Sequence, residues 1–305
     1  MIKFLVRRLI FMILGLLIVS MIVFGLSRLQ GDPRLLYLSE STTQEQWEAW
    51  GKEMGLDRPV PIQYAVWLGK AVTGDMGKSL REPRPVTTIV LERLPATLQL
   101  GAMAWVFALL VGWPIGILSA VKRGSIFDYI GRSFALVGQA LPPFFVGIVL
   151  ILIFSVELGW LPTARRGGVD HLILPVITLG WLAASAQLRI VRSSMLDVLD
   201  SEYVKLARAK GVASRGVIFK HALRNALIPP LTLAGLVFAS FIGGTVVTES
   251  VFAWPGIGRL ALDSVFLNDF PVLAGVILLT TSIYLLVNFC VDVLYALIDP
   301  RIRYG

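Results

Sequence analysis

Six long apolar runs, separated by short charged stretches, constrain this 305-residue chain more than any other feature of its sequence. They occupy residues 9–26, 94–121, 133–156, 172–188, 226–247 and 271–291. The first run has eighteen residues, and at the helical rise these cover about 27 Å, close to the thickness of the hydrocarbon core of a bilayer. The sequence therefore predicts an all-α polytopic membrane protein with six transmembrane helices.

Composition agrees with a membrane protein and argues against other classes. Hydrophobic residues make up 56% of the chain and charged residues only 16%, whereas a soluble domain is nearer half apolar and a quarter charged. The net charge is +8, and in a membrane protein such an excess reflects the basic residues of the cytoplasmic loops. We therefore expect no nucleic-acid partner. Cys290 is the single cysteine, which excludes an internal disulfide framework, and its apolar surroundings predict a buried thiol.

The distribution of basic residues predicts the orientation of the chain. Six spans place both termini on one side, and an N-terminus inside makes residues 1–8, 121–132, 189–225 and 298–305 the inner segments. These hold 16 of the 28 basic residues, whereas the short outer loops 157–171 and 248–270 hold three. Because positive charge concentrates in short cytoplasmic loops, both termini are predicted to be cytoplasmic.

The span pattern divides the chain into three parts. Residues 1–29 form the first transmembrane helix, residues 30–95 a polar extracytoplasmic segment of short amphipathic helices, and residues 96–305 the core with the other five spans. In the second span, Gly112 and Gly116 have the spacing that permits close helix contact, and Pro114 predicts a kink.

The inner segment 189–225 is too long for a simple turn between two spans. It is rich in helix formers, carries eight basic residues, and is interrupted after Lys210 by Gly211, a plausible helix C-cap. We therefore predict two short helices at the cytoplasmic face, joined at Gly211. Two interpretations stay open from the residues alone: an interfacial helix pair that holds anionic lipid, or a docking element for a cytoplasmic partner.

Part of this segment, EYVKLARAKGVASRGVIFKHALRNALIPP, resembles the cytoplasmic coupling loop of permeases of binding-protein-dependent ABC importers. The stretches QYAVWLGKAVTGDMGKSL, RLPATLQL, LGWLPTA, HLILPVITLG, VFAWPGIGRL and VDVLYALIDPRIRYG are similar to the same family in the same order. The resemblance is closest to the first, B-type permease of the dipeptide, oligopeptide and nickel branch. One departure is that the glutamate of the general importer motif aligns with Lys205.

The resemblance implies the type I importer permease fold, a bacterial plasma (inner) membrane location, and a set of partners. These are a homologous second permease, two ATP-binding subunits, an extracytoplasmic solute-binding protein and membrane lipid. It implies that this chain is no enzyme and binds no cofactor, since ATP and Mg²⁺ belong to the ATPase subunits. Peptides are the expected solute; nickel, glutathione and oligosaccharides are alternatives within the family.

The resemblance also supplies candidate site residues. The proposed ATPase-coupling residues are Glu202, Tyr203, Ala207, Arg208, Ala209, Lys210, Gly211, Arg215 and Lys220. The turn at Trp254, Pro255 and Gly256 is a candidate outer gate, with interfacial anchoring by Trp254 as the alternative.

Several other functions find little support in the sequence. Gly77-Lys78-Ser79 matches only part of a phosphate-binding loop and lies in the predicted outer segment, away from cytoplasmic ATP. His171 and His221 have no second ligand near them in sequence, so no metal site is expected. Asp292 is a candidate intramembrane charge; the alternatives are an interfacial charge or the partner of an arginine at a span end. A secondary transporter driven by an ion gradient is the main alternative, but inverted repeats and a set of intramembrane carboxylates are missing.

Overall fold

The computed structural model describes residues 2–29, 34, 38, 42–53, 55–243 and 245–298. Within these ranges the chain is helical and forms no strand, with one isolated bridge between Lys78 and Pro85. The helices are α1 (Ile2–Leu29), α2 (Gln44–Glu53), α3 (Val60–Val72), α4 (Val86–Val121), α5 (Ile126–Ala140), α6 (Pro143–Leu150), α7 (Asp170–Leu199), α8 (Glu202–Ala209), α9 (Ser214–Ala226), α10 (Ile228–Gly243), α11 (Val246–Val251), α12 (Ile257–Phe266) and α13 (Phe270–Ile298). A π-helical stretch, Ile151–Glu157, continues α6, and another, Val217–Ala222, forms the middle of α9.

Four of these helices are long and apolar enough to cross a membrane, and there are six spans when each of two bent helix pairs is taken as one. The four are α1, α4, α7 and α13, and the bent pairs are α5 with α6 and α9 with α10. Among the described residues this agrees with the predicted all-α polytopic fold. Arg301 and Arg303, which contributed to the predicted orientation, lie outside the described residues.

The third predicted span, 133–156, is not one straight helix. Leu141 ends α5 with extended backbone, Pro142-Pro143 opens the next helix, and the axes of the two segments differ by 106°. The physical reason is that proline lacks the amide hydrogen a continuing helix requires and forces the preceding residue out of the helical region. By contrast, α4 is assigned as one helix through Pro95 and Pro114.

The chain divides into two compact units. The first comprises residues 1–95 and 256–305 and the second residues 96–255, so α4 begins in one and ends in the other. In the first unit α1 packs against α13 with opposite direction: Arg8 pairs with Asp292, and Gly15 faces Leu285. A separate apolar cluster joins the start of α4 to α12 and α13 through Val86, Val90, Ile257, Val272 and Val276.

In the second unit, α4 and α7 form the centre of the core. Leu100, Ala104, Val176 and Ala184 are buried there, together with Phe241 of α10. Small residues let the backbones of the two helices approach closely. A Cβ added to Gly112 would lie 2.6 Å from the Ala184 carbonyl oxygen, and one added to Gly116 would lie 2.8 Å from that of Leu188. The close helix contact predicted from the Gly112–Gly116 spacing is therefore confirmed.

Gly112→Val is expected to destabilise the protein, because its branched side chain collides with the α7 backbone, which cannot move aside as a flexible side chain would. The measurement is thermal unfolding of the detergent-purified protein by fluorescence-detected size exclusion. Gly25→Val is the matched control, since Gly25 also lies in a membrane helix and nothing stands within 4 Å of its added Cβ. Equal unfolding temperatures for the two variants would contradict the close contact.

Candidate coupling segment

The spanning helix α7 continues beyond the predicted end of the fourth span. It ends at Leu199 rather than near Leu188, so it adds eleven residues, about 16 Å of helix. The cause is an apolar stripe at helical spacing, in which Leu188, Val191, Met195 and Leu199 are all buried. The first third of the segment predicted as a loop, 189–199, is therefore part of α7, and α8 and α9 form the remainder.

Residues 202–226, here called the coupling segment, form the predicted helix–glycine–helix. Lys210 caps α8, and Gly211 follows with φ of +79°, in the left-handed region. The Gly211 amide donates to the Arg208 carbonyl at 2.9 Å, and the Val212 amide donates to the Ala207 carbonyl at 3.2 Å. These two bonds define a Schellman motif, which satisfies the last carbonyls of α8 and turns the chain sharply. The helix end predicted at Gly211 is confirmed.

The buried side of the coupling segment packs onto the C-terminal ends of α4 and α7. Val204 of α8 and Val217, Ala222 and Ala226 of α9 are buried in one cluster with Val191, Met195 and Leu199 of α7 and Ala120 of α4. A further bond joins α8 to α9, where the Asn225 side-chain amide donates to the Tyr203 hydroxyl at 2.9 Å. The coupling segment is therefore in close-packed contact with α7 and α4.

The predicted coupling residues separate by burial. Glu202, Tyr203, Arg208, Ala209, Lys210, Gly211, Arg215 and Lys220 are exposed. Ala207 is buried, so its side chain supports the packing of α8 rather than a contact with a partner. Glu202 also has a local role, since it pairs with Lys205 at 2.8 Å on the exposed side of α8.

The two most exposed apolar side chains on the coupling segment were missed by sequence reasoning, which had favoured its basic residues. Leu206 is 56% exposed and Phe219 is 61% exposed. Both lie off the stripe formed by Val204, Ala207, Val217 and Ala222. A helical wheel of the sequence would have identified both residues, because it places them away from that buried stripe. The exposed side of the segment thus combines apolar and basic groups, as protein interfaces do.

An ion pair between a buried carboxylate and a half-buried arginine lies near the same end of α7. Asp128, at the start of α5, accepts from Nε of Arg192 at 2.7 Å and from its Nη2 at 3.0 Å, and the Gly124 amide donates to it at 3.0 Å. The Asp128 side chain is buried, and Arg132 lies 3.7 Å away. A bidentate arrangement of this kind fixes both position and angle between α5 and α7. Sequence reasoning missed the pair because its members are 64 residues apart.

The structure places Trp254 inside the second unit. Its indole is 0% exposed, and Nε1 donates to the Ala96 carbonyl at 2.8 Å. Interfacial anchoring, the alternative considered above, requires an indole exposed to headgroups, so this burial contradicts it. Pro255 is half-buried, and Gly256 is the buried N-cap residue of α12. The outer-gate assignment for these three residues stays a prediction.

A buried carboxylate lies close to this tryptophan. Glu249 accepts hydrogen bonds from the hydroxyls of Thr97 and Thr245, each at 2.7 Å. The Trp254 amide in turn donates to the Glu249 carbonyl at 2.8 Å. These bonds hold α11 and the turn that follows it against α4, which gives the buried tryptophan a structural role.

In the first unit, two features singled out in the sequence have local partners. Asp292 pairs with Arg8 of α1 at 3.2 Å, which agrees with the alternative of a partner for a span-end arginine; its assignment as an intramembrane charge stays a prediction. The Ser79 hydroxyl donates to the Asp269 carboxylate and accepts from the amides of Arg81 and Glu82. The Gly77-Lys78-Ser79 triplet is thus a loop fastened to the start of α13, with no cradle of amides directed at a phosphate.

Two other expectations concern reactive side chains. Cys290 is exposed on α13, so the expected burial of its thiol was wrong; an apolar sequence around a residue does not distinguish a protein core from a lipid-facing surface. Among the described residues, His, Cys, Asp and Glu side chains form no group of three or more able to hold a metal.

Comparison with known proteins agrees with this architecture over the whole chain. Residues 112–304 match the family model described as binding-protein-dependent transport system inner membrane component. Residues 1–101 match the N-terminal model for the membrane component of the same transport systems.

Individual relatives and solved structures extend the comparison. The chain is 42% identical over all 305 residues to the glutathione transport system permease protein GsiC of Escherichia coli (strain K12) and of Salmonella choleraesuis (strain SC-B67), covering 100% of each. The inward-facing MetNI methionine ABC transporter has a TM-score of 0.58 at 19% identity, covering 69% of this chain and 96% of that one. An amino acid ABC transporter with histidines has a TM-score of 0.54 at 17% identity, and the match covers 70% of this chain and 94% of that one. The chain therefore belongs to the family of inner membrane permease components of binding-protein-dependent ABC importers.

Proposed function

We propose that this permease subunit forms half of an ATP-driven import path for a small peptide-like solute of the size of glutathione. The observation that carries the coupling part of the proposal is the Gly211 turn, whose exposed side offers basic and apolar groups while its inner side packs on α7 and α4. The solute class is supported by full-length identity of 42% to glutathione permeases.

The complete importer contains further subunits. A second, homologous permease forms the other half of the path, two cytoplasmic subunits bind and hydrolyse ATP with Mg²⁺, and an extracytoplasmic binding protein delivers the solute. This chain hydrolyses nothing and binds no cofactor. The proposal rests on membership of a binding-protein-dependent family and on the position of the coupling segment.

Both termini are proposed to be cytoplasmic. The bias of basic residues toward the inner segments supports this orientation. The Arg8–Asp292 pair supports the part of this proposal that puts both termini on one side, since it joins the start of α1 to the end of α13. The coupling segment then faces the cytoplasm, where ATP is available.

Coupling follows from the mechanics of the segment. A ligand shifts a conformational equilibrium only by its differential affinity for the two states, so ATP must act through a partner that holds the segment differently when it is loaded. Leu206 and Phe219 provide apolar contacts for that partner, and Arg208, Lys210, Arg215 and Lys220 provide charged ones. Movement of the segment displaces α7 through the cluster at Val204, Met195 and Val217.

Purification of the tagged chain from its native membrane in mild detergent tests this proposal. We expect a second permease and one or two ATPase subunits to accompany it, and ATPase activity to fall when Leu206 and Phe219 are both replaced by serine. The paired control is Ile126→Ser, an exposed apolar position outside the segment. A chain that purifies alone and without ATPase activity would contradict the proposal and favour a secondary transporter.

Uptake of labelled glutathione and of a labelled dipeptide by the same cells tests the solute. We expect accumulation of a peptide-like solute that depends on ATP and on the binding protein. Uptake of nickel or an oligosaccharide alone would refute the solute class and leave the importer assignment standing.

A further inference from the structure

Helix α3, in the segment 30–95 predicted to be extracytoplasmic, has an unusual composition for a helix in water. Its sequence, VPIQYAVWLGKAV, contains one charged residue, Lys70. Val60, Ile62 and Val66 are 45–56% exposed, so the side turned away from the protein is also apolar. A solvated surface helix has a polar outer face, and α3 lacks one.

The inner side of α3 is fastened to the membrane helix α1. The rings of Tyr64 and Trp67 each lie 5.5 Å from that of Phe24. The Tyr64 hydroxyl lies 2.7 Å from Oγ of Ser20. Since Ser20 donates its own hydrogen to the Leu17 carbonyl at 2.8 Å, the tyrosine hydroxyl is the donor to the buried serine.

These contacts fix the level of α3 relative to the bilayer. Arg28 marks the outer end of α1, and at 1.5 Å per residue Phe24 lies about 6 Å and Ser20 about 12 Å further into the membrane. The remaining surface of α1 at this level is exposed and apolar, with Ile18, Met21 and Ile22 facing outward. A helix that contacts Phe24 and Ser20 is therefore surrounded by the same acyl chains as α1.

Charges at both ends of α3 define how it lies. Arg58 precedes the helix and Lys70 is in its last turn, so the helix cannot cross the hydrocarbon core without burying one of them. A helix too short to span the bilayer keeps both terminal charges at the headgroups by lying along the interface, and the apolar side of an interfacial helix is about 5–10 Å deep. That depth matches the level of Phe24.

We propose that α3 is embedded in the outer leaflet of the membrane, with Val60, Ile62 and Val66 in contact with lipid acyl chains and Tyr64 and Trp67 holding it to α1. The choice of the outer leaflet rests on the proposed orientation of the chain, whereas the embedding of α3 in lipid is independent of that orientation. The sequence predicted residues 30–95 as a polar extracytoplasmic segment, and in this proposal its helix α3 lies in lipid instead of in water.

Quenching of a fluorescent label tests the embedding. In a Cys290→Ser background, Val66→Cys and, separately, Ile62→Cys are labelled with an environment-sensitive fluorophore in the complete complex reconstituted in vesicles. We expect strong quenching by phospholipids brominated near the headgroup end of their acyl chains and little by iodide in the water. Glu45→Cys on α2, an exposed position among polar residues, is the matched control, with the opposite pattern.

Two outcomes would overturn the proposal. Quenching of both α3 labels by iodide and not by brominated lipid would place the helix in water. Quenching by neither would show that another protein covers the face. Reaction of Glu45→Cys with a membrane-impermeant thiol reagent in intact cells tests the orientation separately. An unreactive Glu45→Cys together with lipid-quenched α3 labels would reverse the leaflet and leave the embedding intact.

Discussion

Gly211→Val is expected to lower ATP-coupled uptake sharply while the protein still inserts into the membrane. Gly211 has φ of +79°, and its amide and that of Val212 close the Schellman motif that ends α8. A left-handed backbone costs a non-glycine residue about 1–2 kcal/mol, and more for a β-branched one, so the turn opens and the exposed side of the segment loses its shape. We expect solute uptake to fall by about tenfold or more, since each 1.36 kcal/mol corresponds to a factor of ten.

Two control variants distinguish loss of the turn at Gly211 from a general effect of backbone strain on the protein. Gly74→Val introduces the same kind of strain, at φ of +90°, in the segment between α3 and α4, and uptake should be affected far less. Gly211→Asn should retain much of the activity because asparagine tolerates the left-handed region. The readouts are uptake in cells, ATPase activity of the purified complex and the amount of chain in the membrane. Wild-type uptake by Gly211→Val would refute the assignment of the coupling segment.

Arg192→Met is expected to lower the stability of the protein sharply. It leaves the carboxylate of Asp128, whose side chain is 2% exposed, without its bidentate partner. Removing one member of a buried pair costs about 3–5 kcal/mol, and we expect the lower end because Arg132 remains 3.7 Å from the carboxylate. The measurement is the thermal unfolding temperature of the purified protein in detergent.

The matched control for this variant is Arg123→Met. Arg123 pairs with Asp200 at 4.0 Å, but the side chains are 68% and 76% exposed, so its loss should cost less than about 1 kcal/mol. A double variant, Asp128→Leu with Arg192→Met, should recover much of the stability because it removes the buried charge as well. Equal unfolding temperatures for Arg192→Met and Arg123→Met would show that the Asp128–Arg192 pair stabilises the protein no more than the exposed Arg123–Asp200 pair.

The sequence was a reliable guide wherever local chemistry decides the structure. Apolar runs of sufficient length predicted helices near all six expected positions, because lipid requires the backbone to satisfy its hydrogen bonds within the helix. Gly211 was predicted to end a helix, because glycine adopts the left-handed cap conformation at no steric cost. The spacing of Gly112 and Gly116 predicted a close contact, although it did not identify α7 as the partner helix.

Errors arose where the outcome depends on what surrounds a residue. The predicted fourth span ended where polar residues begin, yet α7 continues to Leu199 because Val191 and Met195 have a surface to pack on. Interfacial anchoring by Trp254 was one alternative, but the residue is buried and its indole finds an acceptor at Ala96. The third span was predicted as one segment, 133–156, and only the structure showed the change of direction by 106° at the prolines 142 and 143.

The sequence by itself determined that the described residues are largely helical, which stretches are long and apolar enough to cross a membrane, and where the coupling segment turns. These features depend on hydrophobic length and on the backbone freedom of single residues. Tertiary structure alone decided which side chains meet across long separations. Asp128 meets Arg192, and Tyr64 meets Ser20, because packing of helices brings distant parts of the chain to the same depth. Such pairings leave no periodicity in the sequence, since each needs only one residue at each end and the geometry of the whole fold between them.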